Sequence, residues 1–276
     1  MKSQNTDKVR ISSKVLNSNM KRPRKKPLKP QRGCVPSLYG YASYRKVWCH
    51  LRKREQLCDG IIRTVDGEVI GVHRALLSAI SPYFKAVFTN ILQGGRPERT
   101  EVTVDISKNI LETILDYAYT GHCRVSSANV EDLLSAADRY EVLGVVERCC
   151  YFLRCAMNSK NCLGISKFAR LFCCTDLKND AEKYILEKFH DVRQESLEFY
   201  ELTAYELRNI LENDNLNVRS EEAVFEAVAA WVSWNAPERK VFLPQLISCP
   251  RYGLMNEHYF WKVVQQYPRV TESSVS

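Results

Sequence analysis

The chain has 276 residues, 45% of them hydrophobic, and a formal charge of +8. That length allows one large domain or two ordinary ones, each with a packed core. No stretch nears the roughly 18–20 apolar residues of a membrane-spanning helix, and the polar start lacks the apolar core of a secretory signal, so the chain is expected in the cytosol or nucleus.

The charge is uneven. Residues 1–54 hold 16 Lys or Arg against one acid, Asp7, which leaves about −7 for the rest. Residues 1–40 are rich in Lys, Arg, Ser, Asn and Pro, have few periodic apolar positions, and are expected to be disordered. Their densest part carries Lys21, Arg22, Arg24, Lys25, Lys26 and Lys29, with Pro23 and Pro27 opposing a helix. A solvated arm, a nuclear-import signal and a phosphate-directed nucleic-acid contact are all open for this tail. No aromatic ring stands in residues 1–38 to stack on bases, which disfavours nucleic acid as a partner.

From Tyr41 to Gln56 a helix is expected, with Val47, Trp48 and Leu51 on one side. Ile61–Val65 and Val69–Val72 read as strands, and Asp66-Gly67 between them is a hairpin turn signal. A helix follows from His73 to Ile80. Ser81 caps the next one, with Pro82 at its first position, where a missing N–H costs nothing. Gly94-Gly95 and Pro97 break the chain, and Glu101–Val104 reads as another strand.

From residue 107 the pattern is helical. Leu111, Ile114, Leu115 and Ala118 form one stripe, and Val130, Leu133, Leu134 and Ala137 form another. Ile165, Phe168, Ala169 and Phe172 continue the series, as do Ala181, Tyr184, Ile185 and Phe189. Thr203-Ala204-Tyr205-Glu206 fits a capping box. Val224, Phe225, Val228, Trp231 and Val232 make a strongly apolar face. The body thus divides into a mixed α/β domain, 41–157, and an all-helical domain of helix–turn–helix pairs, 158–265, with a polar tail at 266–276.

The sequence offers little chemistry. It has no phosphate loop, dinucleotide fingerprint, H-E-x-x-H or nucleophile elbow. Eleven cysteines cannot all pair, and none stands in C-x-x-C. His122-Cys123 is the nearest hint of a zinc site, against which reduced, mostly buried thiols are the preferred reading. His73, between a strand and an apolar helix, reads as a core histidine satisfied by backbone groups. Asp59 reads as a group that orients backbone or pairs with a cation. No catalytic, cofactor or metal site is expected.

Several runs carry a family resemblance. Leu57-Cys58-Asp59, the stretch from Val72 to Phe88, Leu115–Gly121 and Asn129–Asp138 resemble a BTB (POZ) domain. Asn161–Ile165 and Leu216–Phe225, with Trp231, are similar to a BACK domain. This order is that of the kelch-like family, although no kelch repeats follow within the chain. The resemblance implies an α+β BTB/POZ fold, an all-α BACK fold, and an adaptor for a cullin-3 ubiquitin ligase that homodimerises or pairs with other BTB proteins. It implies a dimer interface at Trp48, Leu51, Leu57 and Asp59. It implies a surface for the cullin-3 N-terminal domain at Tyr83, Phe84, Phe88, Leu92 and Tyr140, where Phe84 and Phe88 can equally be core. Two positions depart from the family pattern. Gly94 stands where the cullin-contacting element has a carboxylate, and Gly60 stands where a β-branched strand residue is common. A nuclear BTB regulator, or a kelch-less partner that regulates full-length kelch-like adaptors, is the alternative function.

Overall fold

The computed structural model describes residues 41–90 and 100–264. The basic cluster at 21–29, Leu92, Gly94 and the tail 266–276 therefore lie outside the described residues. The described residues divide into two units, 41–156 and 157–264.

The first unit opens with α1 (Tyr41–Lys53) and a three-stranded sheet. β1 (Gly60–Arg63) pairs antiparallel with β2 (Val69–Val72), Gly60 opposite Val72, and parallel with β3 (Thr100–Thr103), Gly60 opposite Thr100. The Thr64 N–H donates to Glu68 O and the Gly67 N–H to Thr64 O, so the loop is Val65–Gly67. Gly67 has φ +79°, the left-handed position such a three-residue hairpin gives to glycine. The Asp66 carboxylate accepts from the Thr64 hydroxyl and from the Lys108 N–H (3.0 Å), which ties the hairpin to the first turn of α4 (Lys108–Thr120). These donors hold the Asp66 carboxyl below its ordinary pKa.

Between β2 and β3 lie α2 (Arg74–Ile80) and α3 (Pro82–Asn90); α4, α5 (Val130–Arg139) and α6 (Leu143–Ala156) complete the unit. The expected stripes form its core. Leu111, Ile114, Leu115, Val130, Leu133, Leu134 and Ala137 are all wholly buried. Gly60 is no defect in its strand. A Cβ there would lie 2.9 Å from Arg74 Cγ and 3.1 Å from Val72 Cγ2, so the missing side chain is what lets Arg74 cross the strand.

The second unit is helical throughout its described residues. α7 (Cys162–Leu171) and α8 (Thr175–Glu187) pack together across the short link 172–174, a helix–turn–helix pair. α9 (Phe189–Glu195), α10 (Ala204–Leu211) and α11 (Glu221–Trp234) follow, then short turns to Val264. The capping box forms as the spacing predicts. Thr203 Oγ1 accepts from the Glu206 N–H, and the Glu206 carboxylate accepts from the Thr203 N–H. The core gathers Leu207, Leu211, Val228, Trp231 and Leu246. The indole N–H of Trp231 donates to Leu202 O (2.9 Å), which pairs the one polar atom that this buried ring carries.

Glu198 caps α7 from outside the helix, accepting from the Gly164 N–H at 2.8 Å. A Cβ on Gly164 would meet Glu198 Oε1 at 2.6 Å, so glycine is what admits the carboxylate. Burial pushes the Glu198 carboxyl above its ordinary value of 4.5. Above that value the unfolded chain has released a proton that the folded chain still holds. Stability therefore falls as pH rises through this window. Melting curves of Glu198→Gln, which keeps an oxygen acceptor, are expected to show a smaller loss of Tm between pH 5 and pH 7 than wild type. An unchanged pH profile would remove Glu198 as its source.

The cysteines need a correction. Of the ten described, only Cys149, Cys162 and Cys249 are buried, whereas Cys155 and Cys173 are exposed. The helical stripes place only some of them on inward faces. Burial, with Glu198 close by, pushes the Cys162 thiol up to about 12, so it behaves as a small apolar group rather than a nucleophile.

Candidate protein-interaction surfaces

The first surface is built around α3. Its start is fixed by Ser81, which is 1% exposed. The Ser81 hydroxyl accepts from the Phe84 N–H (3.0 Å) and donates to Tyr140 O (2.6 Å), so one side chain caps α3 and joins it to the end of α5. The Tyr140 hydroxyl accepts in turn from the Asp105 N–H at 2.8 Å. Four rings interlock here. Phe84 stacks on Phe88 (5.9 Å between centroids) and on Tyr140 (5.7 Å), and Tyr83 meets Tyr140 edge-on at 5.1 Å.

This geometry corrects the sequence reading. Phe84, Phe88 and Tyr140 are 0%, 1% and 3% exposed, so their side chains hold α3 in place and offer a partner nothing directly. Tyr83 is half-buried, and Pro82, Lys85, Ala86 and Thr89 are the exposed positions among the described side chains of the helix. Helical periodicity identifies an apolar stripe, but it does not tell a stripe that meets the core from one that meets a partner.

The other end of α3 is tied to the sheet. Arg74 donates to Phe88 O (2.6 Å), and its guanidinium lies 5.7 Å from the centre of the Phe88 ring. The Asp59 carboxylate accepts from the Arg74 N–H at 2.8 Å. Asp59 thus caps α2, because His73, the residue before that helix, makes no side-chain cap.

The second surface lies on α1. Beneath it sits His73, 3% exposed. The Tyr119 hydroxyl accepts from the His73 N–H (3.0 Å) and lies 2.7 Å from Nδ1, while Nε2 lies 3.0 Å from Gln56 O. A carbonyl only accepts, so Nε2 carries the proton and Nδ1 accepts from Tyr119. Burial pushes the Tyr119 phenol up to about 12, which keeps it a donor. The histidine is thus a satisfied core group.

α1 packs on this pair through Trp48, whose ring meets His73 edge-on at 4.8 Å, and through Arg52, 5.2 Å from the Tyr119 ring centre. Arg45 adds a bond to Thr120 O at 2.6 Å. Of the four residues expected at a dimer interface, Trp48 and Asp59 therefore have partners within their own unit. Leu51 is half-buried, and Leu57 stands 75% exposed with φ +59°. Val47, expected on the same side as Trp48, lies about 100° from it around the helix and faces out with Tyr44. Tyr44, Val47 and Leu51, at spacings of three and four, form an outward apolar stripe. Sequence periodicity alone groups Val47, Trp48 and Leu51 and does not tell which face of α1 the domain covers.

Among the described residues there is no cluster of three or more metal-binding side chains, His122 and Cys123 included. No described helix is long and apolar enough to cross a membrane.

Comparison with known proteins assigns both units. Residues 49–157 match the BTB/POZ domain, and residues 162–265 match BACK (BTB And C-terminal Kelch). Human Kelch-like protein 28 is 39% identical over 216 residues, which cover 78% of this chain and 37% of that protein. The chain thus spans little more than a third of this relative's length. Among solved structures, the BTB domain of zebrafish PATZ1 is 29% identical, with 41% of this chain and 90% of that one covered and a TM-score of 0.36. The BTB domain of human Gigaxonin is 28% identical, with 45% and 100% covered and a TM-score of 0.37. With a BTB/POZ domain followed by a BACK domain, and with this relative, the chain belongs to the kelch-like BTB–BACK family.

Proposed function

We propose that the chain is a homodimeric protein-interaction adaptor that recruits the cullin-3 N-terminal domain to a ubiquitin ligase. The observation that carries this reading is the outward stripe of α1. Tyr44 is 62% exposed and Val47 53%, on a helix whose opposite face is already occupied. A self-complementary contact about a two-fold axis suits such a stripe, and obligate interfaces of that kind bury about 2,000 Å² or more. Leu57, just past the helix, is exposed as well.

The cullin would meet the exposed positions of α3 and half-buried Tyr83. The buried rings supply the rigidity that such a surface needs, since they fix α3 against α5 and the sheet. The Ala86→Arg variant tests this. It places a long charged side chain at an exposed position where no core group is disturbed. It is expected to keep the dimeric mass and to weaken cullin-3 binding at least about ten-fold. Undiminished binding would move the cullin surface off α3.

A further inference from the structure

A groove between α7, α8 and α10 belongs to neither surface described above. It holds about 270 Å³, close to the lower end of small-molecule sites. Its floor is apolar, with Leu163, Ile185, Leu202 and Ile210. One further lining residue is polar and deep. Ser166 is 3% exposed, and among the described residues its hydroxyl has no hydrogen-bond partner. The only described side-chain oxygen or nitrogen both fully occluded and unpaired is Thr100 Oγ1, so the Ser166 hydroxyl opens to the groove it lines. Buried hydroxyls are paired as a rule, which makes this one an open position for a ligand's polar group.

The rim sets the ligand's charge. Arg170 donates to Glu182 at 2.7 Å, and Lys167 faces Glu206 at 3.8 Å. Two cations are matched by two carboxylates, so the mouth has no net charge to attract an ion. A charged ligand would have to give up its own hydration for a group that is already paired. We propose that this groove binds a small uncharged amphiphile, with its apolar body on the floor and a carboxamide or hydroxyl on Ser166.

The test is calorimetric titration of the full chain with 4-phenylbutyramide, and with 4-phenylbutyrate at pH 7 as its charged counterpart. Saturable one-site binding of the amide is expected, with the carboxylate at least about ten-fold weaker. Loss of one hydrogen bond in Ser166→Ala should weaken the amide by about five- to ten-fold. Ile210→Trp, at a half-buried position, should plug the groove and abolish binding; it decides the matter alone if Ser166→Ala does not fold. No saturable binding of the amide, equal binding of the carboxylate, or binding indifferent to the substitutions would each overturn the proposal. The readout needs neither cullin nor dimer, so its failure is distinct from failure of the adaptor reading.

Discussion

Replacing Phe84 with alanine is expected to lower the unfolding free energy of the first unit by about 3–5 kcal/mol. Phe84 is wholly buried, and three rings, Tyr83, Phe88 and Tyr140, lie within 5.4–5.9 Å of it. Its removal opens a cavity between α3 and α5 that the Ser81 bonds resist closing. It also forfeits the ring–ring terms, about 0.5–1.5 kcal/mol per pair. Urea titrations followed by circular dichroism measure the loss. A change under about 1 kcal/mol would mean that the ring lies at a surface, as one half of the sequence reading allowed. By the same reasoning Phe88→Asp reports on folding, since it buries a carboxylate, and not on partner binding.

Changing Val47 and Leu51 together to aspartate is expected to turn a dimer into a folded monomer. Across a two-fold axis each substitution acts twice, which sets four carboxylates within one interface. Loss of apolar burial and like-charge repulsion then act in the same direction. The effect on the monomer should be small, because Val47 is exposed and Leu51 is covered only in part by its own unit. Trp48→Ala is the contrasting case. It removes the edge contact with His73 and should lower the melting temperature whether or not the dimer forms. If the double aspartate variant keeps the wild-type mass in sedimentation, the dimer uses another face.

Much of this architecture can be read from local signals in the sequence. Asp66-Gly67 marks the hairpin because glycine takes the left-handed position there, and Ser81-Pro82 marks the start of α3 because one residue caps it and the other needs no N–H. The Thr203–Glu206 box works for the same reason, since both partners lie within one turn. What could not be read depends on partners far apart in the chain. Asp59 caps a helix that begins fifteen residues later, and Gly60 makes room for the Arg74 and Val72 side chains that lie against it. Trp48 and Val47 are neighbours in sequence yet serve different faces of α1, about 100° apart, which becomes clear only once His73 and Tyr119 are placed beneath. The Ser166 hydroxyl carries no local signal at all, for a serine on an apolar helical face ordinarily bonds back to its own helix.

The central claim, a dimeric adaptor for cullin-3, is tested most directly by the solution mass of the chain, alone and mixed with the cullin-3 N-terminal domain, by light scattering after gel filtration. The expected masses are about twice the 31.9 kDa of the chain when it is alone, and that of two chains with two cullin domains when mixed. A monomer, or a dimer whose mass does not change when cullin is added, would contradict it.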